Sequence, residues 1–418
     1  MSKLEELIQQ HCPDGVEYKR LDEICFAPSN IKWKNTSEHY EYIDLTSVDI
    51  DTHAIVATTE INSDTAPSRA QQIVKQGDVI FATTRPTQMR VCLIPPKYDG
   101  AICSTGYCVL RPDNTKVLSS FVFFILSIED FKRYLEQKQT MGNYPAISNK
   151  LLKEYVIPVP PLPVQEEIVR ILDNFAELQA ELQAELQKRL IQYNYYRDKL
   201  LSFNELNRGQ SVSVEWKKLG EIGAFYGGLS GKTKEDFKDG NAKFISYKNV
   251  FYNLSLNVDT DERVKIAEGE KQNTVQYGDV LFTGSSETPD ECGMSSVLTQ
   301  KTDEKLYLNS FCFGYRLHNP SLFCLDFLKH LFRSNEIRKQ IGKTASGTTR
   351  FNVSKKRFAE VSIPVPPLSV QKQIADILDK FYTLTADLTA GLPAEIEARR
   401  KQYEYYRDQL LTFKQKAS

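Results

Sequence analysis

IPVPPLPVQEEIVRILDNF (157–175) recurs as IPVPPLSVQKQIADILDKF (363–381), 206 residues further along a chain of 418. A second pair, QYNYYRDKLLSF (192–203) and QYEYYRDQLLTF (402–413), is displaced by 210. A repeat of this kind sets the domain count before any local reading. Weaker echoes complete the register: VEYKRLDEI (16–24) against VEWKKLGEI (214–222), and QGDVIFATT (76–84) against YGDVLFTGS (277–285). Each half therefore runs through a start signature, a variable body, a Pro-rich strand-to-helix junction and a long helix. The helices are nearly identical between halves and the bodies share only scaffold positions. Two modules with a common frame and different targets would give this pattern; duplication without a functional split is the plainer alternative.

After the first junction, apolar residues fall at Ile168, Ile171, Phe175, Leu178, Leu182, Leu186, Leu190, Tyr193, Tyr196, Leu200 and Phe203, a mean step of 3.5 residues. That is the period of a coiled-coil seam, with consecutive steps of four that relax the supercoil. The span 163–203 predicts a helix about 60 Å long. Such a helix needs a partner face, and the second copy, paired antiparallel, is the simplest one. The first helix carries AELQ three times (176–187). These are good helix formers in any context; alternatively they are a ruler, each unit adding one turn of about 6 Å. From the shared Phe to the shared Gln there are 17 residues in the first copy and 21 in the second, a difference of one unit. The second copy contains Gly391-Leu392-Pro393, where a kink is expected unless Pro393 opens a new helical segment.

Composition sets outer bounds. Hydrophobic residues make up 41% and charged ones 26%, the balance of a globular protein of two or three domains. No apolar run approaches the ~20 residues of a membrane span, and the opening MSKLEELIQQ reads as an amphipathic helix without a secretory core, so no membrane association and a cytoplasmic location are expected. The eight cysteines (12, 25, 92, 103, 108, 292, 312, 324) include no C-x-x-C pair, and with five histidines they form no zinc spacing. They read as reduced, mostly buried thiols, and no metal site is expected. The net charge of −1 leaves any grip on nucleic acid to local basic residues or to other subunits.

Each body mixes short β-like runs (DVIFAT, YCVLRP; DVLFTG, FGYRL) with Gly-, Pro- and Asn-bearing loops, then a helical stretch such as SFVFFILSIEDFKRYLEQ or CLDFLKHLFRSNEIRKQ. This is an α+β pattern. Two loop pairs carry polar and basic side chains suited to base and phosphate contacts. TTRPTQMR (83–90) and QTMGNYPAIS (139–148) supply Thr84, Arg85, Gln88, Arg90, Asn143 and Tyr144. TGSSETPDECG (283–293) and the 343–354 segment supply Ser285, Ser286, Lys343, Thr348, Thr349 and Arg350. Ile147 and Val353, again 206 apart, put the second loop of each pair at the same place.

Enzyme signatures fail. GGLSGKT (227–233) lacks the first glycine of a phosphate loop, which is Tyr226. Asp290, Asp303 and Lys305 only loosely match a metal-dependent nuclease. Neither an Asn/Asp-Pro-Pro-aromatic tetrapeptide nor a Gly-rich cofactor fingerprint is found, so no catalytic residue is assigned.

The order CPDGVEYKRLDEI, variable body, IPVPPLPVQEEIVRILDNF, long helix with tetrapeptide repeats, QYNYYRDKLLSF, and the same cycle again resembles the specificity subunit of type I restriction–modification systems over nearly the full chain. The resemblance implies an α+β fold of two globular target-recognition domains separated by two long antiparallel helices, with a pseudo-twofold internal repeat. The parts would be a first recognition domain (1–155), a central helical region (156–205), a second recognition domain (206–361) and a distal helical region (362–418). Each domain would read half of a bipartite, asymmetric site on double-stranded DNA. The helices would set the gap and dock two modification (methyltransferase) subunits. Those partners would carry S-adenosylmethionine, restriction (translocase/nuclease) subunits would carry ATP and Mg, and this chain would hold no cofactor. Tetrapeptide number is linked in that family to half-site spacing. The rival readings are a self-contained nuclease and a helical scaffold that does not bind DNA.

Overall fold

The computed structural model describes residues 2–203, 214–386 and 391–417. The chain forms two compact units, Met1–Leu182 with Ile396–Ser418, and Gln183–Glu395. The expected boundary between 205 and 206 lies outside the described residues. Each unit is therefore a body together with stretches of both helical regions. In the first these are 162–182 and 396–410; in the second they are 183–201 and Leu368–Ala386.

The 3.5-residue seam forms the expected long helix, Leu162–Leu201, continuous over 40 residues and so about 60 Å long. In the first unit the paired stretches run antiparallel. Tyr18, opposite Pro158 in a two-stranded sheet, donates its hydroxyl proton to the Phe413 carbonyl at 2.7 Å, while Phe175 stacks on Tyr406 with ring centroids 5.8 Å apart. The second unit repeats the contact with the repeat-equivalent residues, Phe381 on Tyr196 at 5.3 Å. The second helical region is not one helix. Leu368–Ala386 and Leu392–Leu410 are separate segments, and Pro393 sits in the first turn of the latter, where its missing N–H costs nothing.

The Pro-rich junctions carry the frame. Val156–Val159 pairs with Glu17–Arg20, and Ser362–Val365 with Glu215–Lys218, in the same antiparallel register. The glutamine six residues past each strand's end is wholly buried. Gln165 accepts from the Leu118 N–H (2.9 Å) and donates to the Lys116 and Pro160 carbonyls. Gln371 does the same with Cys324 N–H (2.8 Å), Leu322 and Pro366. Each amide thus fastens body to helix with all its polar atoms spent.

The bodies share one scaffold. Tyr107–Pro112, Val79–Ala82 and Val91–Leu93 follow Cys25–Phe26 in a four-stranded sheet, and Gly223–Gly227, Cys312–Leu317, Val280–Thr283 and Ser295–Val297 repeat its order. A second sheet in each body includes one parallel pair, Tyr40–Ile43 with Ile102–Ser104 and Ala242–Ile245 with Leu306–Leu308. In the shared Gly-Asp-Val, the glycine takes a left-handed φ (84° at Gly77, 87° at Gly278) that favours glycine. The aspartate then turns inward. Asp78 holds Arg111 through two bonds of 2.8 and 2.7 Å, and Asp279 holds Arg316 at 2.8 and 2.6 Å.

Each helical stretch after the sheets is broken where one continuous helix was expected: Ser119–Ile125 then Glu129–Lys138, and Leu325–Leu331 then Asn335–Gly342. At the breaks Ser127 and Ser334 donate their hydroxyls to the Phe123 and Leu331 carbonyls, which competes with helical bonding. The cysteines are all unpaired, six of the eight buried. Among the described residues no helix is long and apolar enough to cross a membrane.

One buried polar relay is peculiar to the second unit. His330, fully enclosed, contacts the Tyr193 hydroxyl through Nδ1 (2.9 Å) and Asp379 through Nε2 (2.7 Å). Lys329 also reaches Asp379, at 2.7 Å. Phe124 occupies the equivalent place in the first unit. Burial lowers the His330 pKa, so the ring is neutral, donating from Nε2 and accepting at Nδ1. An unfolded histidine, with a pKa of about 6.5, binds more protons than this one. Stability is then full above that pH and falls as pH drops below it. His330→Phe should cost about 1–3 kcal/mol at pH 8 by orphaning the Tyr193 hydroxyl, and should flatten the decline of the unfolding midpoint as pH falls below about 6.5. Denaturant titration across that range checks it; an unaltered slope would contradict the assignment.

Candidate nucleic-acid interface

In both bodies the strand after Gly-Asp-Val leads into a loop that is clamped to a second loop just before the helical junction. In the first body Ile147 N–H donates to the Thr83 carbonyl (2.9 Å), Thr84 bridges Ala146, and Arg85 N–H donates to the Pro145 carbonyl (2.7 Å). In the second, Val353 N–H donates to Gly284 (2.9 Å), and Ser285–Ser286 pairs with Asn352 and Phe351. The equivalence of Ile147 and Val353 expected from the repeat therefore holds at the hydrogen-bond level.

The first loop pair brings Arg85 and Tyr144 together. The guanidinium lies 5.4 Å from the ring centroid, and Tyr144 is 74% exposed. The backbone of Arg85 is left-handed (φ 51°), as is Met89 at the end of the Pro86–Gln88 turn (φ 54°). Non-glycine residues pay of order 1–3 kcal/mol for such conformations, which persist where surroundings over-determine them. Here buried Pro86 and the bonds to 145 and 146 do so. Gln88 and Asn143 are exposed on the same loops, and Thr84 is half-buried in the bridge. Arg90 is placed differently: its guanidinium donates to the Leu45 carbonyl and braces the loop base.

The second loop pair is a small three-stranded ribbon, Ser285–Ser286, Phe351–Val353 and Ala345–Ser346. Thr348, Thr349 and Arg350 are exposed in its turn, where a side chain at Gly347 would meet the Arg350 carbonyl. Ser285 is 4% exposed and accepts from Arg350 Nε at 3.2 Å. Ser286 donates to Glu291 at 3.0 Å. The Arg350 guanidinium also lies 5.3 Å over Phe311. Lys343 is apart from this group and lines another cleft with Tyr195, Asp198 and Lys339.

The sequence reading passed over Glu287, Glu291, Tyr247 and Phe251, which line one open cleft with Ser285, Ser286 and Arg350. Glu287 and Glu291 belong to the loop 283–293; Tyr247 and Phe251, four residues apart, are the sequence signal for a short helix, Tyr247–Tyr252. Among the described residues Arg85 and Arg350 have no carboxylate partner, whereas Arg111, Arg170, Arg316 and Arg400 each do. Unpaired, stacked guanidiniums on exposed loops are available to phosphates or base edges.

The rival chemistries find no such assembly. Lys232 of GGLSGKT is spent on the Glu270 carboxylate and the Lys265 carbonyl. Asp290 sits in the Pro289–Glu291 turn, while Lys305 lines a cleft with Asn241, Lys243 and Arg263. No metal-holding group of three or more acidic, His or Cys side chains occurs among the described residues.

The family model of the type I restriction modification DNA specificity domain matches the chain twice, over residues 13–192 and 212–398. The chain is 36% identical over 315 residues to the specificity subunit of the Escherichia coli type I restriction enzyme EcoR124I/EcoR124II, covering 72% of each. A solved chain from a study of assembly and conformational transition of the type I R-M system superposes with a TM-score of 0.66 at 25% identity, over 96% of this chain and 98% of that one. The HsdS subunit from Thermoanaerobacter tengcongensis shares the fold, with a TM-score of 0.50 at 24% identity, over 96% and 97%. No catalytic family is indicated, and the nuclease and scaffold readings gain no support. With its two matched domains, its repeated frame and its divergent loop pairs, the chain belongs to the DNA specificity subunits of type I restriction–modification systems.

Proposed function

We propose that each body reads one half of a bipartite, asymmetric DNA site through its clamped loop pair, and that the chain itself catalyses nothing. One observation carries this: the two loop pairs occupy the same register on the same scaffold but present different side chains, Arg85 with Tyr144 in one and Arg350 with Ser285 and Ser286 in the other. A fixed frame with exchanged contacts is how one fold reads two sequences.

Two modification subunits dock on the helices, whose repeat-equivalent Tyr195 and Tyr405 are 58% and 62% exposed. Those subunits bring S-adenosylmethionine and flip the target adenine to reach its amino group; restriction subunits bring ATP and Mg. The complex works in the cytoplasm. A near-neutral chain fits a reader whose partners share the phosphate grip.

Co-expression with a modification subunit should give adenine methylation at a two-part motif, read by methylome sequencing; a contiguous palindromic motif would refute the proposal. Arg85→Ala should relax one half-site by about 1–3 kcal/mol of discrimination and leave the other intact. Equal loss at both halves would contradict modular reading.

A further inference from the structure

We infer that the cleft of the second body reads a G·C base pair from both of its bases, with Arg350 on guanine and Glu291 on cytosine. This inference rests on the half-site reading above and adds to it the identity of one base pair.

The charge of the loops is the starting point. TTRPTQMR and QTMGNYPAIS in the first body contain no acidic residue, whereas TGSSETPDECG in the second holds Glu287, Asp290 and Glu291. Carboxylates beside a duplex are repelled by its phosphates, so on a DNA-facing loop they are favoured where the DNA offers them a hydrogen-bond donor. The major groove offers two, the amino groups of cytosine N4 and adenine N6.

The geometry selects between them. Consecutive serines orient opposite charges: Ser285 Oγ accepts from Arg350 Nε at 3.2 Å, and Ser286 Oγ donates to the Glu291 carboxylate at 3.0 Å. Both charged side chains line one open cleft of about 570 Å³. The bond at Nε and the Phe311 ring 5.3 Å beneath hold the guanidinium while leaving its terminal nitrogens free for a bidentate acceptor. In the major groove that acceptor is the O6/N7 edge of guanine, and the base paired with guanine presents the N4 amino group that a carboxylate accepts. Adenine is ordinarily read by Asn or Gln through a donor and an acceptor on one amide. Arg350 lies in the exposed turn of the hairpin 345–353, at the end of the three-stranded ribbon.

The test uses the purified complex of the full chain with its modification subunit, assayed for methylation of duplexes in which each pair of the recognised site is changed singly. The wild type should show one G·C pair whose replacement lowers methylation about 5- to 150-fold, the range of a good bidentate contact. Arg350→Ala and Glu291→Ala should each abolish that preference at the same pair and leave the other positions unaltered. Arg350→Lys, which keeps the charge and loses the fork, should do likewise while retaining turnover, and decides the matter if the alanine variant is inactive. A half-site with no G·C pair overturns the inference. So do unchanged preference in Arg350→Lys, effects of the two residues at different pairs, or uniform weakening on all duplexes, which marks a phosphate contact. In each of these cases a bipartite wild-type motif leaves the half-site reading standing; absence of any bipartite motif would sink that reading itself.

Discussion

Gln165→Ala is expected to lower the stability of the first unit by about 2–6 kcal/mol, since it strands the Leu118 N–H and the Pro160 carbonyl at roughly 1–3 kcal/mol apiece. The amide is wholly buried and bonds the Leu118 N–H and the Lys116 and Pro160 carbonyls; of these, the carbonyl of exposed Lys116 can turn to water. That loss is a large share of the 5–15 kcal/mol typical of a folded domain. The chain has two tryptophans, Trp33 in the first unit and Trp216 in the second, so Trp216→Phe leaves a fluorescence probe for the first unit alone. Urea unfolding in that background should show the Trp33 midpoint falling. Exposed Gln137, on a helix of the same unit, is the control, and its alanine variant should stay within about 0.5 kcal/mol of the parent. A shift at Gln165 no larger than the control's would remove the clasp from the account.

The same glutamine shows where sequence reading stops. It stands inside the repeated stretch 157–175, yet glutamine is an ordinary helix former and gives no sign of burial by period. Only the return of the Lys116–Leu118 backbone to the helix start makes it a core residue. The long helix, by contrast, was legible because its apolar spacing is local and repeated, and the Phe175–Tyr406 and Phe381–Tyr196 stacks fall on residues of that pattern. Asp78 and Arg111 both stand in β-like runs, but 33 residues separate them, and the sheet alone reveals the pair. At the loops, polar, Gly- and Pro-bearing stretches that follow strands are visible in the sequence, and the fold brings the two of each pair together. The sequence does not sort the side chains within them. Ser285 and Arg90 spend their polar groups on the protein, Lys343 faces another cleft, and the bond that orients Glu291 toward Ser286 is visible only in the fold.

Deleting one AELQ unit, residues 180–183, should abolish methylation of the parental site and create a new one with both half-sequences kept and the gap shortened by about one to two base pairs. The deletion removes roughly 6 Å and one turn from a helix of 1.5 Å rise, against about 3.4 Å per base pair step. It also preserves the seam, because Leu178, Leu182 and Leu186 recur every four residues and the flanking leucines close up in register. The first helix is continuous over Leu162–Leu201 and can transmit a change of length. The second region is interrupted by a bend at Gly391. On the parental site one body would then face the wrong bases, and specific affinity exceeds non-specific by at least about a thousandfold, so residual methylation should fall below about 1%. Replacing the same four residues with alanine keeps the length and should keep the gap, which separates a ruler from a composition effect. Methylome sequencing of the deletion and alanine strains reads all of this directly, and an unaltered gap in the deletion would mean that the helix does not measure the site.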